Sequence, residues 1–308
     1  MPTSYAYFQG NVVPLEQAKI GVMTHAFNYG TAVFEGIRGN WNPDDQTVHL
    51  FRLREHMERL TRSAKILTME VRDSVDRLCE LAVEIVERSG FSEDVYLRPM
   101  VYLASEQLGV RLHNLQSDTL IFLTPFPAYL PEVARCHTST WRRVDDTGIP
   151  PRAKVTGIYV NSALAKTEAN LNGFDEAIML NADGHVSEGS GENIFMVRHG
   201  KLITPTPADN ILEGITAQSV VELAASELGV ETVQRQIDRT ELYIADEIFM
   251  TGTAAHLTPV TEVDRRVVGS GRPGPITSRL SQLFFDCIRG KNEKYRHWCT
   301  PARVPVAQ

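Results

Sequence analysis

Three prolines in seven residues, Pro125-Phe126-Pro127-Ala128-Tyr129-Leu130-Pro131, constrain this chain more than any other segment. Proline fixes φ and removes a backbone donor, so such a run sustains neither a helix interior nor a central strand. It falls near the middle of 308 residues, a length that favours two cores over one. The expected division is a small N-terminal domain over 1–124, a linker over 125–134 and a larger domain over 135–308.

Both halves mix strands with helices. Residues 40–51 predict a hairpin around Pro43-Asp44-Asp45. A helix follows from Leu53, with Leu53, Met57, Leu60, Ala64 and Leu67 on one stripe. A second helix starts at Ser74, turns Val75, Leu78, Ala82, Ile85 and Val86 inward and stops at Gly90. Strands are expected over 95–103 and 119–126, the second almost continuously apolar and therefore buried. Beyond the prolines, a strand is expected near 136–142 and a helix from Asn161. Asn181-Ala182-Asp183-Gly184 marks a hairpin between strands at 176–180 and 185–188. Further strands are read at 193–197, 201–204 and 247–251. Gly214 opens a helix with the stripe Ala217, Val220, Val221, Ala224 and Leu228, and a last helix follows Ile276. The pattern is mixed α/β with much antiparallel pairing, not a regular βαβ array.

Composition narrows the function. A net charge of −7 gives no electrostatic case for nucleic acid or an anionic membrane. No apolar run approaches a membrane span, and the first residues lack a signal-peptide pattern, so a cytoplasmic location is expected. Cys79, Cys136, Cys287 and Cys299 are scattered and read as free thiols. The nine histidines show no metal-ligand spacing, so no metal is expected.

What remains is a set of groups suited to pyridoxal 5′-phosphate. That cofactor needs a lysine, an anion at its ring nitrogen, a phosphate cradle and a neighbouring substrate site. Lys154 lies among Ala153, Val155 and Gly157, a small, weakly polar setting that suits an amine nucleophile. Glu188 is followed by Gly189 and Gly191, which let backbone approach a flat ring. Gly214-Ile215-Thr216 opens a helix whose first N–H groups suit an anion, and Thr251-Gly252-Thr253-Ala254-Ala255 is a second candidate cradle. Arg52, Arg54, Arg59 and Arg62 are all possible cationic partners, and spacing does not choose among them. Tyr96 and Arg98, two apart on a strand, share a face and suit a carboxylate. Taken singly, Lys154 reads as a solvated surface lysine and Glu188 as a hairpin-end carboxylate.

One rival motif is present. Gly269-Ser270-Gly271-Arg272-Pro273-Gly274 matches G-x-G-x-x-G. Fewer than forty residues follow it, and Lys291-Asn292-Glu293-Lys294 is no second apolar strand, so it reads as a Gly/Pro turn. Neither a P-loop nor a G-x-S-x-G elbow occurs.

Over nearly its whole length the chain resembles the branched-chain amino-acid aminotransferases, pyridoxal-phosphate enzymes of fold type IV. The resemblance rests on Gly30 through Arg38, His56 through Leu60, Tyr96 through Pro99, Lys154 through Tyr159, Ser187 through Asn193, Gly214 through Thr216 and Thr251 through Ala255. It implies a small α/β domain and a larger one with a mostly antiparallel sheet or pseudo-barrel. It implies transamination between leucine, isoleucine or valine and 2-oxoglutarate. Lys154 would join the cofactor covalently and move the proton. Glu188 would pair with the ring nitrogen, and Tyr159 would lie by the ring hydroxyl. Arg59, Ile215, Thr216 and Thr253 would hold the phosphate. Tyr96 with the Thr253 and Ala254 amides would hold the substrate α-carboxylate. Phe34, Tyr29 and Val110 would line the side-chain pocket, with Tyr29 and Leu108-Gly109-Val110 supplied by a second subunit of a homodimer or an assembly of dimers. Arg98 would receive a distal carboxylate. A D-amino-acid or (R)-amine transaminase, or a lyase acting on aminodeoxychorismate, is the alternative within the fold. Asn28 and His256 depart from the residues common in relatives and leave the substrate spectrum open.

Overall fold

The computed structural model describes residues 2–126 and 130–304. Contacts divide the chain into two compact units. The first holds residues 1–127, 153–157 and 286–308; the second holds 128–152 and 158–285. The two are nearly equal in length, because a short central segment and the tail join the first. Residues 127–129, inside the predicted linker, lie outside the described residues.

The elements, in chain order, begin with β1 (Tyr5–Phe8), β2 (Asn11–Pro14), α1 (His25–Tyr29), β3 (Ala32–Phe34), β4 (Ile37–Asn42), β5 (Thr47–Phe51), α2 (Leu53–Ile66), α3 (Val75–Ser89), β6 (Val95–Leu103) and β7 (Ser117–Pro125). They continue with β8 (Ala134–Thr138), α4 (Tyr159–Leu171), β9 (Glu176–Leu180), β10 (Val186–Gly189), β11 (Asn193–Arg198), β12 (Lys201–Thr204), α5 (Ile215–Leu228) and β13 (Thr232–Gln234). The last are β14 (Glu247–Gly252), β15 (His256–Val263), β16 (Arg266–Val267), α6 (Pro275–Ile288) and β17 (Cys299–Arg303).

In the first unit, one antiparallel sheet runs β17-β5-β4-β6-β7-β1-β2, with β3 also paired to β6. The helices form where periodicity places them. Leu53, Met57, Leu60, Ala64 and Leu67 are all buried, and each of the larger ones contributes about 1.5–3 kcal/mol by leaving water. Ser74 caps α3 by accepting from Arg77 N at 3.2 Å, and Gly90, at φ 70°, ends it. The expectation for β7 needs correcting. Its residues alternate between buried and half-buried, because β7 lies in an antiparallel sheet whose two faces differ, not in a parallel sheet covered on both.

The second unit carries a sheet in the order β10-β9-β8-β15-β14-β11-β12-β13, with β16 on β15. Pairs β8/β9, β8/β15 and β12/β13 are parallel and the others antiparallel. Stacked Phe195 and Phe249 rings, 5.1 Å apart, are part of its buried interior. The β15–β16 hairpin turns at Asp264 and Arg265, both at positive φ, the conformation that matches strand twist in a tight turn. Asp264 accepts from Thr138 N and Oγ1, each at 2.7 Å, and from Tyr243 Oη at 2.8 Å. Burial alone would raise its carboxyl, but these hydrogen bonds and that from Arg239 bring it down to about 2.

The α5 stripe is also corrected. Ile215, Thr216, Ser219, Val220, Leu223 and Ala224 are buried, whereas Val221 and Leu228 are only half-buried. This helix is apolar on several sides, so periodicity alone does not choose its inner face. The Gly269–Gly274 run behaves as the predicted turn. A Cβ on Gly274 would lie 2.1 Å from Glu247 Cδ. Glu247 accepts from Ile276 N at 3.1 Å and Thr277 N at 2.7 Å, so a protein carboxylate already takes the place a dinucleotide phosphate would need. Among the described residues, no helix is long and apolar enough to cross a membrane, and no three His, Cys, Asp or Glu side chains are grouped to hold a metal ion.

Candidate active site

In the first unit the segment 153–157 lies against β3 and α1. Phe34 N donates to Lys154 O at 3.0 Å, and Thr156 Oγ1 donates to Gly30 O at 2.7 Å. Gly30 and Gly157 meet backbone to backbone: a Cβ on Gly30 would come within 2.9 Å of Gly157 Cα. Gly30 also needs its positive φ of 66° to close α1. Lys154 Nζ then stands 5.2 Å from the centre of the Phe34 ring. The Arg98 guanidinium lies 4.4 Å from the same centre and donates to Tyr96 Oη at 3.3 Å. An amine, an apolar ring, a guanidinium and a phenol thus form one continuous series. Tyr96 and Arg98 share a face, as their spacing predicted.

Arg59 is tied to a partner that the sequence reading missed. Glu35, fully buried, accepts from Arg59 Nε at 2.6 Å and Nη2 at 2.8 Å. Burial alone would raise the Glu35 carboxyl, but the Arg59 charge and hydrogen bonds, with His56, hold it well below the ordinary carboxylate range. His56 Nδ1 lies 2.7 Å from Glu35 Oε2. A carboxylate only accepts, so that nitrogen carries the hydrogen. Burial lowers the His56 pKa against the pull of Glu35.

In the second unit the expected groups converge through Asn193. Its Nδ2 donates to Glu188 Oε2 at 3.2 Å and to Leu212 O at 2.8 Å, and Leu212 N donates to the same Glu188 oxygen at 3.0 Å. A Cβ on Gly214 would fall 1.8 Å from Asn193 Oδ1, so only glycine fits there. Glu188 is thereby fastened to the start of α5, where Ile215 and Thr216 are buried and no side chain among the described residues caps the helix. A buried, uncapped N-terminus is built for an anion. Asn193 pairs in register with Thr251, after which Thr253 and Ala254 form the β14–β15 turn. Tyr159 opens α4 and is half-buried.

Arg143 is the other residue missed. It is buried, with Nε 2.7 Å from Glu188 Oε1. The N–H is not aligned for a hydrogen bond, so the contact is an ion pair. Neither Nε nor Nη1 has a hydrogen-bond partner among the described residues, and the same holds for Thr251 Oγ1. Buried polar atoms left over beside an uncapped helix start fit a polar, anionic cofactor. No local signal marks Arg143, since it lies far from Glu188 in sequence.

The glycines after Glu188 divide their work. A Cβ on Gly189 would lie 2.8 Å from Glu192 Oε2, so that glycine makes room for the Glu192 side chain. A Cβ on Gly191, which is exposed, would meet no atom within 4 Å. Burial, reinforced by the Glu176 charge, pushes the Glu192 carboxyl up to about 8.

Tyr29 Oη accepts from Gly109 N at 3.1 Å, and Val110 is 91% exposed. Asn28 Nδ2 donates to Val22 O and Thr24 O, both at 3.0 Å, and so steadies α1. His256, at φ 56°, sets its ring edge-on to Phe285 at 5.2 Å.

The amino-transferase class IV family matches residues 32–263. A probable branched-chain-amino-acid aminotransferase of Aquifex aeolicus is 49% identical over 299 residues, 96% of each chain. The crystal structure of the branched-chain aminotransferase of Thermoproteus uzoniensis with norvaline superposes with a TM-score of 0.93 at 46% identity, covering 97% of this chain and 99% of that one. A third branched-chain amino acid aminotransferase, from T.th. and complexed with N-(5′-phosphopyridoxyl)-L-glutamate, gives 0.91 at 41% identity, over 97% and 98%. With the match spanning three quarters of its length and relatives this similar from end to end, the chain belongs to the class IV aminotransferases, among their branched-chain-amino-acid members.

Proposed function

We propose that the chain transfers the amino group of leucine, isoleucine or valine to 2-oxoglutarate, reversibly and in ping-pong order. The donor leaves as its 2-oxo acid and the acceptor as L-glutamate. Pyridoxal 5′-phosphate, when bound, supplies the electron sink for the bond that breaks at the substrate α-carbon. The relative complexed with N-(5′-phosphopyridoxyl)-L-glutamate, which pairs phosphopyridoxyl with glutamate, supports both the cofactor and the acidic partner.

The observation that carries the reading is the placement of Arg98 over Phe34, 4.4 Å from the ring centre, with Lys154 Nζ 5.2 Å from the same ring. An aliphatic side chain packs on the ring, and a distal carboxylate pairs with the guanidinium. One pocket then serves both substrates. Lys154 Nζ holds and moves the proton at the α-carbon. Tyr96 and the Thr253 and Ala254 amides hold the α-carboxylate. Glu188 keeps a fixed negative charge for the ring nitrogen, and Tyr159 serves the ring hydroxyl. Arg59, already oriented by Glu35, joins Ile215, Thr216 and Thr253 at the phosphate.

The same reading assigns Tyr29 and Val110 to the side-chain pocket of a second copy. Phe27, Leu108 and Val110, at 68%, 65% and 91% exposure, are the kind of apolar surface a partner covers.

The test is a donor panel on the cofactor-loaded enzyme, following loss of the cofactor's absorbance. L-Leucine, L-isoleucine and L-valine are expected to react fastest. Faster reaction of D-alanine or an aromatic (R)-amine overturns the assignment. Lys154→Ala should lose turnover altogether, and a normal rate in that variant sinks the mechanism.

A further inference from the structure

We infer that His25 is a positioning residue for substrate specificity, acting through the loop that carries Val110. The inference rests on the reading above, in which Val110 lines the side-chain pocket of a second copy.

α1 has two kinds of side chain. Phe27 and Tyr29 face outward, while His25 is 1% exposed and uses both ring nitrogens. Nε2 lies 2.8 Å from Gly109 O and Nδ1 lies 2.7 Å from Thr31 Oγ1. A carbonyl oxygen only accepts, so Nε2 carries the hydrogen; in the neutral ring Thr31 then donates to Nδ1 and fixes that tautomer. The Tyr29 ring packs 4.6 Å from the imidazole, and its hydroxyl accepts from Gly109 N.

Both polar groups of one peptide residue are therefore gripped from α1. Gly109 sits at φ 137°, where a side chain is strained, yet a Cβ there would touch nothing within 4 Å. The glycine is required by conformation and not by crowding. Among the described residues, both hydrogen bonds that tie 108–115 to the rest of the unit end on Gly109. The flanking Leu108 and Val110 are 65% and 91% exposed, so burial within their own unit does little to hold them. A loop fixed at one residue takes its position from that fixing point. His25 thus sets where Val110 stands, without touching substrate.

Four measurements on the cofactor-loaded enzyme test this. In His25→Ala, amide hydrogen exchange at 108–112 should accelerate at least about tenfold, while exchange in β6 and β7 stays unchanged. The KM for L-leucine should rise about tenfold with kcat little changed and with a smaller effect on L-glutamate, because a shifted wall affects the aliphatic substrate most. His25→Gln, whose amide can still donate to Gly109 O, should recover most of both effects. Val110→Ala should raise the leucine KM with normal exchange at 108–109. Unchanged exchange in His25→Ala, or equal KM increases for leucine and glutamate, overturns the inference. If exchange accelerates but Val110→Ala leaves both KM values at the wild-type level, the lining role of Val110 fails, and the specificity role of His25 falls with it.

Discussion

The turn after Glu188 and the loop around Gly109 both carry groups assigned to the active site, and they are held in opposite ways. Residues 187–190, 192 and 193 are buried, and Glu188 is engaged by Arg143, Asn193 and Leu212. The 108–110 loop is exposed on both sides of the one residue that α1 grips. A cofactor does not change from one substrate to the next, so its anchor gains from being over-determined. A substrate wall must admit side chains of different shape, so a single fixing point suits it. On the proposed assignment, rigidity lies where the chemistry does not change from one substrate to the next.

Three measurements can break or sharpen that contrast. The largest effect is expected for Arg143→Ala. It strips a buried charge partner from Glu188 and should cost about 3–5 kcal/mol of stability. Denaturant unfolding of the cofactor-free protein checks it, and a loss below about 1 kcal/mol would show that the turn is not electrostatically over-determined.

The next effect concerns pH. Glu192 faces Glu176, Lys166 and Glu188, and its carboxyl is raised from the ordinary 4.5 to about 8 in the folded chain. A raised folded value contributes stability that is fully present below the unfolded value and is lost as pH rises through about 8. Glu192→Gln cannot ionise. Its stability should gain on the wild type, by on the order of a few kcal/mol, between about pH 5 and pH 9. Parallel stability profiles for the two proteins would remove Glu192 from the account.

The smallest effect belongs to the loop. Val110→Ala should change unfolding free energy by no more than about 0.5 kcal/mol, since the side chain is 91% exposed. A thermal melt showing a loss above about 1 kcal/mol would mean that the loop is better anchored than its exposure implies.

Sequence legibility follows how local each interaction is. α2 and α3 were readable because a buried stripe at helical spacing and a serine–glycine pair of caps are local signals. The helix start at Gly214 was readable from the glycine before an apolar run, while Lys154 and Glu188 stood out only as residue types suited to the expected chemistry. The Arg143–Glu188 ion pair and the Glu35–Arg59 pair were not, because each joins elements whose approach only the fold decides. The α5 face was misread because a helix apolar on several sides gives periodicity little to separate. β17 was missed altogether. Pro301 sits in its middle, and proline argues against a strand unless the strand is an edge, which β17 is.

That edge strand also fixes an order of events during synthesis. β17 pairs with β5 from Cys299 opposite Phe51 to Arg303 opposite Thr47, closing one side of the N-terminal sheet with residues that leave the ribosome only after the whole second unit. Until they emerge, β5 presents an unpaired backbone edge, the surface on which nascent chains pair wrongly with one another. The first unit to be translated is therefore the last to be sealed, and the whole second unit is made during its wait.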